Sequence, residues 1–211
     1  MKKSLILALA AVLVLGISAV SFAGLSGSVH DLVGVGTITE ICAVCHSPHD
    51  SGADRASNGP LWNHELSGLT FTMYSSDDPT AEASPAVPGG NSRLCLGCHD
   101  GVTALEAYGG ATTGANFATT GKVPNLNGTD GNLQGTHPIS ITYDGGKPGL
   151  NTASGVLLGT NALSAVLQNG NVECSTCHDV HNNTEGLESI GTYLLRGTNA
   201  ASALCLACHF K

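Results

Sequence analysis

The sequence predicts a mostly irregular, loop-built fold with short α-helices around four repeated cysteine motifs, and an interior filled by something other than side chains. Three observations predict it. Glycine supplies 28 of 211 residues and aromatics only 4%, so little side-chain area is at hand to build a core. Only 11% of residues are charged. The eight cysteines fall into four pairs at one spacing: Cys42/Cys45, Cys95/Cys98, Cys174/Cys177 and Cys205/Cys208.

A histidine follows each pair directly: His46, His99, His178 and His209. Four Cys-x-x-Cys-His motifs are the attachment signature of c-type haem. Two thiols three residues apart on one turn reach the two vinyl groups of a single haem as thioethers, and the adjacent histidine lies under the iron as proximal ligand. A disulfide framework does not place a histidine after every pair. Zinc ribbons do not need that histidine four times, and a redox dithiol needs one pair rather than four. With 9 histidines in 211 residues, four of four by chance has odds on the order of one in a few hundred thousand. The cofactor expectation is therefore four covalently bound haem c groups, which become the core; without them the chain should not fold.

The remaining histidines are His30, His49, His64, His137 and His181. Met73 is the sole methionine beyond Met1, so bis-histidine ligation is the economical reading. Cys42 to His49 and Cys174 to His181 share the pattern Cys-x-x-Cys-His-x-x-His, and Leu94–His99 matches Leu204–His209. The chain reads as a doubled two-haem unit, 24–108 and 136–211 within a single domain 24–211. Each unit has one upstream histidine, His30 or His137. His30, His49, His137 and His181 are thus the distal candidates, with His64 a fifth that has no counterpart in the second unit. His49 and His181 each sit three residues after a proximal histidine and project from nearly the same side of a turn. They cannot reach the far face of their own haem but can ligate a neighbour's. With both axial positions filled, no iron is open to substrate, so outer-sphere electron transfer is expected and catalysis is not.

Short helices are expected at Ser92–Asp100 and Ala200–His209, a turn at Thr103–Tyr108 and a short strand within Ile139–Tyr143. Asp77–Gly90 and the Gly/Thr/Asn-rich Gly109–Gly135 read as irregular. Thr129–Asn132 reads as a turn rather than a cation loop. Trp62 is expected to pack on a haem edge. Lys2 and Lys3, the apolar run Leu5–Val20 and Ser21-Phe22-Ala23 form a signal peptide, 1–23. Export follows, with the cell surface or medium as destination and the periplasm as the alternative. No later stretch is apolar enough to span a bilayer. Without Lys2 and Lys3 the formal charge falls from −8 to −10, which argues against nucleic acid or anionic membranes as partners.

The runs His30-Asp31-Leu32, Ile41–His49, Pro60–His64, Arg93–Gly101, Thr136–Ser140, Cys174–His181 and Leu204–His209 together resemble the tetrahaem cytochromes with doubled attachment motifs. Within these the chain looks most like the OmcE-type extracellular cytochromes. The resemblance covers most of the mature chain. It implies a column of stacked haems, a head-to-tail homopolymer forming a conductive filament, and a ligand passed between subunits, with His30 the candidate donor. The alternative is a monomeric periplasmic carrier serving redox protein donors and acceptors.

Overall fold

The computed structural model describes residues 25–49, 61–77, 82–118, 131–159, 161–181 and 194–210. The leader 1–23, Pro60, Thr129 and Asp130 lie outside the described residues. Within them the chain is mainly loop and turn, with a few short helices and two small sheets, as its composition predicts. None of these helices is long and apolar enough to cross a membrane.

Helix α1, Gly90–His99, carries the second motif. It starts at Gly90 in the left-handed region (φ +47), a conformation glycine adopts without steric cost. Ser92, Leu94, Leu96 and Gly97 form its buried side. It stops at Asp100, whose carboxylate accepts from the main-chain N–H groups of Val102 (2.9 Å) and Thr103 (2.8 Å) and from the Thr103 hydroxyl (2.6 Å). Those bonds build a turn in place of another helical turn.

Two antiparallel ladders follow. Strand β1 (Ile141–Thr142) pairs with β4 (Asn171–Val172), with Ile141 opposite Val172. Strand β2 (Leu157–Leu158) pairs with β3 (Asn161–Ala162), with Leu158 opposite Asn161. Helix α2 (Leu163–Val166) lies between β3 and β4. The strand expected within Ile139–Tyr143 is thus two residues long, and its partner was not legible in the sequence.

Helix α3, Cys174–Cys177, is a single turn closed by a capping box, in which the Thr176 hydroxyl accepts from Glu173 N–H at 2.9 Å. Helix α4, Ala203–Leu206, follows a 3-10 turn at Ala200–Ser202. The first motif departs from the helix expected around every attachment site. Residues 41–45 form turns only. Pro48 disfavours helical backbone at Ser47, and the chain pairs with 61–63 instead. Ser47 N–H donates to Leu61 O at 2.8 Å and Asn63 N–H to Cys45 O at 2.9 Å.

The side-chain core is small and divided. Ile38, Val44 and Leu105 form one cluster, against which Leu32, Val35, Cys45, Cys98 and Tyr108 pack. Leu96 and Leu133 form another with Phe71, Met73 and Ile139. Cys45 and Cys98 thus border the first cluster.

Candidate cofactor site formed by four cysteine–histidine motifs

The four motifs meet in sequence order. Cys98 of the second lies near Cys45 of the first and feels its charge. Cys95 hydrogen-bonds Cys174 of the third. Cys177 feels Cys208 and Cys205 of the fourth. Side-chain and main-chain bonds fix the central contact. Ser92 Oγ, fully buried on α1, accepts from Cys174 N–H at 2.9 Å. Asn91 Nδ2 donates to Ser175 Oγ at 3.1 Å, and Gln168 Nε2 to Asn91 Oδ1 at 3.2 Å. The two halves of the duplicated sequence are therefore joined between α1 and α3.

None of the eight cysteines forms a disulfide. Burial pushes the Cys45 and Cys177 thiols up to about 11 and Cys98 higher still. Cys174 goes the other way: the hydrogen bond from Cys95 holds its thiol below the usual range. Among the described residues no group of three or more His, Cys, Asp and Glu side chains is arranged to hold a metal ion.

The histidines gather as pairs instead. His30 faces His99 with ring centres 5.8 Å apart. His46 faces His181 at 6.1 Å, and His137 faces His209 at 6.4 Å. Each pair joins one motif histidine to one outside the motifs. Two imidazoles bound to one iron from opposite sides, each about 2 Å from the metal, have ring centres about 6.3 Å apart. All three separations fit that arrangement. The interplanar angles of 46°, 17° and 70° do not bear on it, because each ring can rotate about its metal–nitrogen bond.

Burial, then the nearby His99 and His178, lower the pKa of His30 to about 4, so its ring is neutral and able to act as a ligand near pH 7. His30 Nδ1 and Trp62 Nε1 are buried with no hydrogen-bond partner. Buried polar groups left unpaired mark places where a further group belongs. These orphans and the spacing of the pairs fit a haem at the first, second and fourth motifs.

His64 is placed differently. It is 2% exposed. Its Nδ1 lies 2.9 Å from Glu65 O, and its Nε2 lies 3.1 Å from Ala104 O and 3.3 Å from Cys98 Sγ. A main-chain carbonyl thus lies within hydrogen-bond distance of each ring nitrogen, and the nitrogen that carries the proton donates to its neighbour. His49 is exposed, and its carbonyl accepts from Ser47 Oγ at 2.6 Å. Met73 packs in the second apolar cluster. The Trp62 ring lies 6.5 Å from that of His64, and its backbone bridges His46.

Sequence reasoning missed the polar residues beside the motifs. Asp100 and Asp179 each follow a motif histidine and are buried. Asp179 pairs with Arg196 at 3.0 Å. The repeated His-Asp dipeptide at 99–100 and 178–179 was the available signal. No protein-family model matches this chain, and no curated protein matches it either.

Proposed function

We propose that this protein is an electron-transfer cytochrome carrying four covalently attached bis-histidine haems. Bound haem supplies one-electron, outer-sphere redox chemistry. The chain's residues tether it, ligate it and hold adjacent sites together. The observation that carries this reading is the set of three histidine pairs at 5.8, 6.1 and 6.4 Å, each with one motif member.

The fourth ligand set follows from the pairing of His46 with His181. Two His-x-x-His segments that run past one another antiparallel bring the first histidine of each to the second of the other. By the symmetry of the two segments, this reading assigns His49 to the third site, opposite His178. The first and third sites exchange distal ligands in this reading, and His64 is structural. The proximity of Cys45 to Cys98, of Cys95 to Cys174 and of Cys177 to Cys208 supports successive sites side by side, which suits electron passage along the series.

For assembly, the resemblance to filament-forming cytochromes and exposed apolar residues near both termini support a homopolymer. Val29 and Val33 are 59% and 51% exposed, and Leu206 and Phe210 are 48% and 55% exposed. His30 facing His99 of its own chain favours the second reading, a monomeric carrier that needs no neighbour's ligand.

Exposure of the fully reduced protein to carbon monoxide tests the ligand reading. With every iron six-coordinate the visible spectrum stays unchanged; a carbon monoxide adduct at any site points instead to an open iron and to ligand-binding or catalytic chemistry. Negative-stain microscopy of secreted material separates fibres from monomers.

A further inference from the structure

We propose that Arg196 is a positioning residue that raises the reduction potential of the third haem site above that of the second. The inference rests on the tetrahaem reading and assigns a role to a residue outside every motif.

The second and third motifs carry the same His-Asp dipeptide, yet their aspartates meet different partners. Asp100 is fully buried, and two main-chain N–H groups and the Thr103 hydroxyl surround its carboxylate. Among the described residues no basic side chain pairs with it. Asp179 is paired: Arg196 Nη1 donates to Asp179 Oδ2 at 3.0 Å, with the two side chains 17% and 9% exposed. Arg196 Nε also donates to Ser175 O at 2.8 Å, inside the third motif, and its main-chain N–H to Cys177 O at 2.8 Å. The guanidinium is thus held by two bonds, and the Arg196 main chain is tied to the motif turn by a third.

The surroundings leave that segment little freedom. Gly159 sits against it at φ +66, and a Cβ there would overlap Arg196 O. The other Asp179 oxygen, Oδ1, accepts from His181 N–H at 3.1 Å. The carboxylate that Arg196 holds therefore also fixes the main chain at His181.

A fixed cation beside an iron that loses positive charge on reduction favours the reduced state, and low dielectric strengthens the effect. The two middle sites thus differ by one positive charge, which offsets Asp179 at the third and has no counterpart at Asp100 among the described residues.

Spectroelectrochemical titration of the purified holoprotein tests this, with intact mass read in parallel. Arg196→Gln should move one of the four one-electron waves to more negative potential. Asp179→Asn should move the same wave to more positive potential, and the double variant should return it toward wild type. A purely structural role moves the single variants in the same direction. That result, or unmoved waves with all four haems attached, overturns the proposal. If Arg196→Gln loses a haem, Asp179→Asn decides alone: a positive shift supports the proposal and no shift overturns it. Wild-type protein without haem would instead overturn the tetrahaem reading beneath it.

Discussion

His46 and His181 face each other with ring centres 6.1 Å apart and planes within 17°, although one belongs to the first motif and the other follows the third. No local preference of the chain produces this contact. It depends on bringing the two Cys-x-x-Cys-His-x-x-His segments together, and a metal shared between the rings, as we propose, would account for the separation.

Replacing His181 should therefore affect the first site rather than its own. His181→Ala keeps four thioether-bound haems by mass, since no cysteine is touched, and converts one low-spin haem to high spin. Electron paramagnetic resonance of the oxidised protein reads the conversion. Four low-spin haems in the variant would remove His181 from the ligand set.

His30 gives a parallel test with a bearing on assembly. Because it faces His99 of its own chain, His30→Ala should generate one high-spin haem even in dilute monomer, with fibre formation retained wherever the wild type forms fibres. Loss of fibres with four low-spin haems in the monomer would show that the ligand crosses between subunits.

His64 should behave as a structural residue. Both ring nitrogens meet main-chain carbonyls in a buried setting. His64→Ala leaves those groups unpaired and opens a cavity, at a cost of about 2–4 kcal/mol. The expected result is an earlier guanidinium unfolding midpoint with an unchanged low-spin spectrum.

Much of this was legible in the sequence, because it is written locally. The motifs, the candidate histidines and a helix over Ser92–Asp100, found as α1 at Gly90–His99, all follow from spacing and composition. The partners were not legible. Helical geometry at the first motif gives way to pairing with 61–63, a contact across intervening chain. Trp62 and His64 lie on a stretch whose residues bridge His46 and Tyr108, and alternation there was the one available hint that His64 belongs to the interior. Asp179 and Arg196 meet only after the chain returns at Leu194–Arg196, with Asp179 N–H donating to Leu194 O at 2.7 Å.

Gly97 supplies a test of close packing at the second motif. A Cβ there would lie 2.5 Å from Glu65 O, main-chain atoms with little room to yield. Gly97→Ala should cost about 1–3 kcal/mol through overpacking, measured as a lower unfolding midpoint. The matching position in the fourth motif already carries Ala207, so a tolerated Gly97→Ala would mean that the loop bearing Glu65 packs elsewhere.

The account depends most on haem serving as both interior and redox centre, and intact mass of the exported protein tests that directly. The expected product carries four haem additions, mapping by peptide analysis to the Cys42, Cys95, Cys174 and Cys205 motifs. A folded product with eight unmodified thiols and no haem absorption would contradict it.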